Sequence, residues 1–255
     1  MTSTTSQELL DLAVVAADRA ASWLADHQSG VAVTATKSTS TDIVTAADTA
    51  AEELIRLVLL GARSGDAFLG EESQARHGTS GVRWIVDPID GTVNYWYGLP
   101  TWSVSIAAEL DGDVVASVVQ APQLSRTYTA SADGAWCNGV PITASTCSDL
   151  SQALLATGFS YDASERGRQG AALTVLLPQV RDVRRLGSAA LDLCLLAAGE
   201  VDLFYERGPA LWDVAAGAFI AQQAGALVAV GGPLTIGSSA ALFTQFRAAL
   251  EQAGA

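Results

Sequence analysis

The segment Trp84–Pro100, with the sequence WIVDPIDGTVNYWYGLP, places two aspartates at the end of an apolar run. Pro88 disfavours helical dihedral angles at the residue before it, so Asp87 and Asp90 do not form an i, i+3 pair on one helix face. The pattern predicts a buried strand that ends at Asp87, and a turn that brings Asp90 back to the same point. Aspartate is also common in turns for local reasons, so the pair alone leaves a purely structural role open.

Two further carboxylates stand in similar positions. Glu71 follows the apolar run AFLG, and Asp213 begins a predicted helix. Each has an ordinary alternative, because Asp213 alone would be a helix cap and Glu71 alone would be half of a solvated pair with Glu72. Two unit charges about 4 Å apart repel by roughly 4 kcal/mol at an effective dielectric constant of about 20. A convergent set of four carboxylates would therefore take up protons or bind cations.

The ligand chemistry of such a set favours hard divalent cations. Carboxylate oxygens suit Mg²⁺, Mn²⁺ or Ca²⁺, and Mg²⁺ is the usual choice when a phosphate group is the partner. Zinc usually takes His or Cys ligands, and the two histidines, His27 and His77, lie outside these segments. Their scarcity also disfavours a Ser-His or Cys-His hydrolase.

The Gly91-Thr92 pair adds a position for an anion. The sequence DGTVNY predicts the first turn of a short helix, with Asp90 at or near its N-cap. Free amide groups at such a turn attract phosphate. A carboxylate metal cluster beside amide donors is suited to the hydrolysis of a phosphate ester. Four carboxylates and a dianionic phosphate sum to about −6, which two or three Mg²⁺ ions would nearly neutralise.

The composition argues against several classes of protein. The chain has 255 residues, a net charge of −13 and 14 Lys plus Arg, which supply no obvious basic patch for DNA or RNA. Its three cysteines lack metal-ligand spacing. The sequence shows no signal-peptide pattern and no apolar run of about 18 residues. We therefore expect a cytoplasmic protein with no nucleic-acid or membrane partner, folded as one domain over residues 1–255.

Two capping boxes mark the starts of helices in the first part of the chain. Thr5 is followed by Glu8, and Thr45 is followed by Asp48, which is the spacing of a hydroxyl cap and its reciprocal carboxylate. Apolar residues at helical spacing follow both boxes. We expect the second helix to end at Gly61.

Strand signals follow, and helices return later. Asp111-Gly112 separates two strand-like segments, 102–110 and 113–120, and predicts a hairpin. From about residue 149 the pattern alternates between helix and strand. The fold class is therefore mixed α/β, with antiparallel hairpins as well as helix–strand alternation.

Three segments together resemble the signatures of the inositol monophosphatase family. They are GEES (Gly70–Ser73), WIVDPIDGTVNY (Trp84–Tyr95) and WDVAAGAFIAQQAGA (Trp212–Ala226), and they occur in the order and rough spacing of that family. The similarity extends over nearly the whole chain. It implies the five-layered αβαβα sandwich shared by this family and the fructose-1,6-bisphosphatases.

The resemblance also implies a role for individual residues. The implied metal ligands are Glu71, Asp87, the backbone carbonyl of Ile89, Asp90 and Asp213. The implied catalytic group is Thr92, supported by Asp48 and Glu71, which would orient and deprotonate the attacking water. Phosphate would bind at Gly91 and Thr92, and the polyol hydroxyls would meet Asp90, Gly187, Ser188, Ala189, Glu206 and Asp213. Lys37 and Asp42 would lie on a loop that helps to hold the most weakly bound metal.

The residue types alone leave simpler roles open for several of these positions. Thr92 fits an ordinary first helical turn, and Asp48 fits a capping box without any catalytic role. Glu206 fits an exposed carboxylate at a strand end. Substrate choice is expected to depend on loops such as Thr157–Gln169.

The resemblance implies a hydrolase of small phosphorylated polyols. The expected activity is Mg²⁺-dependent hydrolysis of myo-inositol 1-phosphate by in-line attack of water, with Mn²⁺ as a substitute ion, lithium sensitivity and a homodimeric assembly. The first alternative keeps this chemistry with fructose 1,6-bisphosphate, adenosine 3′,5′-bisphosphate or histidinol phosphate as substrate. The second is a non-enzymatic partner in a transcription complex.

Overall fold

The computed structural model describes residues 5–28, 33–36 and 43–255. Lys37 and Asp42, which the resemblance places on a metal-holding loop, lie outside these residues.

Helices and strands alternate along the described chain. The helices are α1 (Ser6–His27), α2 (Ala46–Ala62), α3 (Thr92–Tyr97), α4 (Ala163–Leu176), α5 (Ala189–Ala197), α6 (Leu211–Gln223) and α7 (Phe243–Ala253). The strands are β1 (Val33–Thr36), β2 (Ile43–Thr45), β3 (Ala67–Gly70), β4 (Val82–Asp90), β5 (Ser103–Leu110), β6 (Asp113–Ala121), β7 (Arg126–Ser131), β8 (Gly134–Cys137), β9 (Val140–Pro141), β10 (Leu154–Thr157), β11 (Asp182–Arg184), β12 (Leu203–Arg207), β13 (Leu227–Ala229) and β14 (Leu234–Ser238).

Two large sheets and three helix pairs form five layers. The seven-stranded sheet has the order β3-β4-β5-β6-β7-β8-β9, and the five-stranded sheet has the order β11-β10-β12-β14-β13. Helices α1 and α2 pack on the outer face of the larger sheet, α5 and α6 lie between the sheets, and α4 and α7 cover the smaller sheet. The predicted αβαβα sandwich is therefore confirmed.

Both capping boxes form as the sequence predicts. The Thr5 hydroxyl accepts a hydrogen bond from the Glu8 amide, and the Glu8 carboxylate accepts one from the Thr5 amide. Thr45 and Asp48 make the corresponding box at the start of α2. The expected end of α2 at Gly61 is wrong by one residue, because the helix continues through Ala62. An isolated glycine weakens a helix without having to end it.

The hairpin at Asp111-Gly112 is also confirmed. Strands β5 and β6 are antiparallel, with Leu110 opposite Asp113. Asp111 and Gly112 both have positive φ angles, of 53° and 102°. Positive φ at both central residues is what a two-residue hairpin turn of the right twist requires.

The strand that contains Asp87 is longer than predicted. We expected it to end at Asp87, but β4 continues through Pro88 to Asp90. Its pairing with β5 is irregular between Asp87 and Asp90. Proline lacks an amide donor, and a bulge is one of the few places in a sheet that tolerates it.

None of the helices within the described residues combines the length and the apolar composition needed to cross a bilayer.

Candidate active site

A cavity of about 290 Å³ is lined by residues from both sheets and from the helices between them. Ten of the predicted site residues line it: Glu71, Asp87, Ile89, Asp90, Gly91, Thr92, Gly187, Ala189, Glu206 and Asp213. Ser188 and Asp48, the other two, do not line the cavity but hydrogen-bond to residues that do.

A β-bulge directs both aspartates of β4 into the cavity. Asp87 pairs with Ser105 and Asp90 pairs with Ser103, so β4 has one residue more than β5 over this interval. In a regular strand, residues three positions apart would point to opposite faces of the sheet. The extra residue restores a common direction, and both side chains line the cavity. The sequence pattern predicted that a turn brings Asp90 back towards Asp87, and in the structure the bulge has this effect.

The start of α5 holds the carboxylate of Asp90. The Ser188 hydroxyl donates to Asp90 Oδ2 at 2.6 Å, and the Ala190 amide donates to the same oxygen at 2.7 Å. Ser188 is also the N-cap of α5. Asp90 lies near the N-cap of α3, as the sequence predicts, since it directly precedes the N-cap residue Gly91.

The side chain of Thr92 connects α3 to α2. Its hydroxyl lies 3.0 Å from Asp48 Oδ1 and 3.0 Å from the carbonyl oxygen of Ile89. The other oxygen of Asp48 accepts hydrogen bonds from the amide and hydroxyl of Thr45. Asp48 therefore serves both as the second half of a capping box and as a partner of Thr92, which are the two roles that its sequence position left open.

A buried glutamate on α2 supports the turn that carries Glu71. Glu52 is 3% exposed, and its Oε2 accepts a hydrogen bond of 2.8 Å from the Glu72 amide. A Cβ atom on Gly70 would overlap the Glu52 carboxylate. A side chain at position 70 would therefore displace the Glu52 carboxylate from its bond to the Glu72 amide.

Arg185 is the arginine that faces this acidic cavity. It lines the cavity together with Glu206 and Asp213. Burial, followed by the charge of Asp213, raises the pKa of Glu206 to about 7, and Arg185 opposes this rise. Asp213 itself accepts a hydrogen bond of 2.6 Å from the Ala210 amide at the start of α6.

The carboxylates on β4 are strongly perturbed. Burial raises the pKa of Asp87 well above its usual value, and the charges of Glu71, Asp90 and Asp213 raise it further. Burial also raises the pKa of Asp90 to about 7, against the opposing hydrogen bonds from Ser188 and Ala190. Buried like charges of this kind either hold protons or bind cations.

The donor chemistry of the cavity fits a hard divalent metal ion. Its carboxylates and the nearby carbonyl of Ile89 are all oxygen donors, which Mg²⁺ prefers. The oxygens do not form a closed cage, since no three His, Cys, Asp or Glu side chains among residues 5–28, 33–36 and 43–255 are arranged to hold an ion.

Several residues at the site are not identified from sequence. Arg185 lies directly before the segment LGSAALD, and the sequence pattern gives it no role. Asp192 is 1% exposed within α5, and its Oδ1 has no hydrogen-bond partner in the described part of the chain. A lone carboxylate inside the apolar run LDLCLLA is a usable signal for it. Glu52 offers none, because a glutamate on an amphipathic helix is normally exposed.

The loop named for substrate choice lies at the cavity. Gly158, Phe159 and Tyr161, all within Thr157–Gln169, contribute to its lining. Two aromatic side chains therefore face the same space as the carboxylates.

Comparisons with known proteins agree with the sequence signatures. The model of the inositol monophosphatase family matches residues 5–248. An inositol-1-monophosphatase of Mycobacterium leprae is 48% identical over 202 residues, which cover 75% of this chain and 69% of that protein. The Nus factor SuhB of Escherichia coli K12 is 38% identical over 224 residues, covering 86% of this chain and 84% of that protein.

A solved structure shows the same fold. The structure of Mycobacterium tuberculosis SuhB superposes with a TM-score of 0.86 at 38% sequence identity, and the match covers 98% of both chains.

Proposed function

Because the chain belongs to the inositol monophosphatase family, and is a phosphatase on that ground, we propose that it hydrolyses myo-inositol 1-phosphate in a Mg²⁺-dependent reaction. The observation that carries this proposal is the single cavity in which Glu71, Asp87, Asp90 and Asp213 surround the Gly91-Thr92 turn. The curated relative from Mycobacterium leprae is named for the same activity.

Metal ions would be held by Glu71, Asp87, the carbonyl oxygen of Ile89, Asp90 and Asp213. Two or three Mg²⁺ ions would balance the charge of these groups and of a bound phosphate, and Mn²⁺ would serve as a substitute. When bound, such ions lower the pKa of a coordinated water and stabilise the leaving oxygen.

Thr92 and Asp48 would position and deprotonate the attacking water, with Glu71 beside them. The Thr92 hydroxyl donates its proton either to Asp48 Oδ1 or to the Ile89 carbonyl, and its lone pairs remain available to a water. Burial raises the pKa of Asp48. A carboxylate with a raised pKa is a better proton acceptor than an ordinary aspartate.

The phosphate would lie against the amides of Gly91 and Thr92. Helix α3 has six residues, so its dipole is small and the two amide groups themselves are the relevant donors. Arg185 provides a positive charge on the cavity wall.

The polyol hydroxyls would be recognised by carboxylates that line the same cavity. Asp90, Glu206 and Asp213 line the cavity together with the main chain of Gly187 and Ala189. Ser188 would act indirectly, since it is 1% exposed and its hydroxyl is bonded to Asp90.

A substrate comparison tests the proposal. Free phosphate is measured with myo-inositol 1-phosphate, fructose 1,6-bisphosphate, adenosine 3′,5′-bisphosphate and histidinol phosphate, each with Mg²⁺ and with EDTA. We expect the highest kcat/KM with the inositol ester and loss of turnover in EDTA. Equal turnover in EDTA would contradict the metal requirement, and a higher kcat/KM for another ester would reassign the substrate.

The same proposal includes three finer properties, which are inhibition by lithium, a homodimeric assembly and a cytoplasmic location. Lithium chloride added to the phosphatase assay tests the first. Light scattering after size exclusion tests the second, and fractionation of cells that express the chain tests the third.

A second candidate function is a role in a transcription complex. It is favoured by the 38% identical relative from Escherichia coli, which is named a Nus factor. The acidic balance of this chain disfavours direct RNA contact and leaves protein contact open. Retention of RNA polymerase factors by the Asp90→Asn variant as well as by the unaltered chain would support this role, and failure of both to retain them would argue against it.

A further inference from the structure

A second cavity, of about 390 Å³, lies beside β12 and is separate from the candidate active site. We call it the α4–β12 cavity. Its lining consists of Glu165, Arg168, Gln169 and Ala172 from α4, Tyr205 and Arg207 from β12, and Gly254 and Ala255 after α7. This volume is within the usual range for small-molecule sites, about 300–1,000 Å³. We propose that this cavity binds a small organic anion. We also propose that the bound anion stabilises the position of the loop that lines the active-site cavity.

Two hydrogen-bond donors at this cavity lack a partner of normal geometry. Tyr205 and Gln169 are 3% and 6% exposed. Within the described residues, the Gln169 Nε2 atom has no hydrogen-bond partner, and the Tyr205 hydroxyl has none of normal geometry, although Thr157 lies near enough to oppose the rise that burial causes in the Tyr205 pKa. Buried polar groups are nearly always hydrogen-bonded, so two such groups on one cavity wall require an explanation. A ligand with oxygen acceptors would satisfy both.

The charges of the lining side chains favour an anion over a neutral ligand. The Nε atom of Arg168 lies 2.8 Å from Glu165 Oε2, and the Nε atom of Arg207 lies 4.0 Å from Glu165 Oε1. Two guanidinium groups thus share one side-chain carboxylate, which leaves several of their N–H groups available to a ligand. Guanidinium groups bind carboxylates and phosphates with paired hydrogen bonds.

Gln169 connects this cavity to the active-site loop. Its Oε1 atom accepts a hydrogen bond of 2.8 Å from the Ser160 amide, and the neighbouring residues Phe159 and Tyr161 line the active-site cavity. One amide group therefore holds the loop with its oxygen and has its nitrogen free within the described structure. A ligand bound to the nitrogen would fix the orientation of the amide and so stabilise this position of the loop.

Strand β12 provides a second connection. Tyr205 and Arg207 line the α4–β12 cavity, whereas Glu206 between them lines the active-site cavity. This follows from the alternation of side chains along a strand. A ligand that ordered Tyr205 and Arg207 would also restrict Glu206. Such a ligand changes substrate affinity only as far as it binds the two loop states differently.

Binding is tested by calorimetric titration of inorganic phosphate, and separately of succinate, into the full chain in EDTA. Without metal ions the active-site carboxylates repel anions, so binding of the anion at the active site contributes little to the titration. We expect saturable binding of at least one anion with one site per chain. Saturation by phosphate alone or by succinate alone identifies the recognised group. Absence of saturable binding with both would overturn the proposal.

Matched variants locate the bound anion. Gln169→Glu keeps the oxygen that accepts from Ser160 and removes the donor, and Tyr205→Phe removes a hydroxyl that has no partner of normal geometry in the described structure. We expect each of these two variants, and also Arg168→Met, to lower the affinity for the anion at least tenfold. Arg247→Met is the control, because Arg247 is also an exposed helical arginine paired with a glutamate. Equal affinity in all four variants would place the anion elsewhere.

The connection to the loop is tested by steady-state kinetics at fixed free Mg²⁺. The anion that saturates the cavity should change KM at least twofold more in the unaltered chain and in Arg247→Met than in Gln169→Glu, where only competition at the active site remains. A change in KM that is the same in all three proteins would overturn the proposed connection.

Discussion

The Thr92 hydroxyl lies 3.0 Å from Asp48 Oδ1, and this contact joins two residues that are 44 positions apart in sequence. Thr92 begins α3 and Asp48 lies in the first turn of α2. The contact thus links the Gly91-Thr92 turn to the outer helix layer. Since Asp48 is also held by Thr45, the capping box of α2 fixes the position of one of the two oxygens to which Thr92 can donate its proton.

Replacing Thr92 with valine tests this relationship. Valine keeps the branched shape and removes the hydroxyl, so the attacking water loses its orienting group. We expect kcat to fall by about 10²–10⁴-fold, the usual contribution of a positioned proton-transfer group, with a much smaller change in KM. Thr92→Ser is the control and should retain most of the activity. A Thr92→Val variant as active as Thr92→Ser would remove Thr92 from the reaction.

The affinity for Mg²⁺ should depend on pH in the neutral range. Burial raises the pKa of Asp90 to about 7, so below pH 7 its carboxyl group is mainly protonated and a metal ion must displace that proton. Above pH 7 it is already ionised. Metal affinity should therefore rise with pH, by about tenfold between pH 6 and pH 8 for one displaced proton. Calorimetric titration of Mg²⁺ at pH 6, 7 and 8 measures this.

Two variants distinguish whether Asp90 or the nearby Glu206 causes this pH dependence, since the pKa of Glu206 is also raised to about 7. Asp90→Asn should weaken Mg²⁺ binding and flatten the pH dependence. Glu206→Gln should keep most of the Mg²⁺ affinity and most of its pH dependence, because Glu206 is not among the proposed metal ligands. The reverse result would make Glu206 the metal-linked group.

The turn at Gly91 should be intolerant of any side chain. Gly91 has a φ angle of 96°, and a Cβ atom there would lie 2.9 Å from the Gly187 carbonyl oxygen and 3.1 Å from the Thr101 carbonyl oxygen. Gly98 at the other end of α3 has a φ angle of 73°, and a Cβ atom there would have no neighbouring atom within 4 Å. The two glycines share a left-handed backbone and differ in available space.

We therefore expect Gly91→Ala to lower the free energy of unfolding more than Gly98→Ala does. The left-handed backbone costs an alanine about 1–2 kcal/mol in either place, and crowding at Gly91 should add about 1–3 kcal/mol. Urea denaturation measures the difference, and the phosphatase assay should show a loss only for Gly91→Ala. Equal losses of stability would mean that the backbone near Gly187 moves to accept the methyl group.

Local signals predicted helix starts, a hairpin and the mixed α/β class, whereas the layered arrangement was implied by the resemblance to the family. Capping boxes at Thr5 and Thr45 and the Asp111-Gly112 turn depend on neighbours within a few residues, and all three form as expected. Apart from the end of α2, which lies one residue beyond Gly61, the exception is the end of β4. Pro88 predicts a break from local preferences, but pairing with β5 on one side accommodates it as a bulge. Such tertiary pairing is not visible in a local pattern.

The cavity was predicted less completely, for a related reason. Carboxylates inside recognisable motifs were found, whereas Arg185, Glu52 and Asp192 reach the site through contacts between distant segments. Glu52 supports the Glu71 turn from α2, 20 positions away from its hydrogen-bond partner. Whether a helical glutamate faces solvent or a buried amide depends on what packs against the helix.

Asp192 should lower the stability of the metal-free protein at neutral pH. Burial raises its pKa well above the usual value, the charges of Glu206 and Asp90 raise it further, and Arg185 opposes them. A carboxyl group with a raised folded-state pKa favours the folded state when protonated. That contribution is fully present below the unfolded-state pKa and is lost as the pH rises through the folded-state pKa.

Asp192→Asn should therefore stabilise the protein, and by more at pH 8 than at pH 4. The amide carries no charge at any pH, so it avoids the repulsion from Glu206 and Asp90. We expect a clear gain at pH 8 and little gain at pH 4, because each unit by which the folded-state pKa exceeds the unfolded-state pKa corresponds to about 1.4 kcal/mol. Thermal and urea unfolding in EDTA at both pH values measure it. Asp18→Asn, at an exposed position on α1, is the control and should change stability little at either pH. A loss of stability in Asp192→Asn at pH 8 would mean that the ionised carboxylate is favourable where it lies.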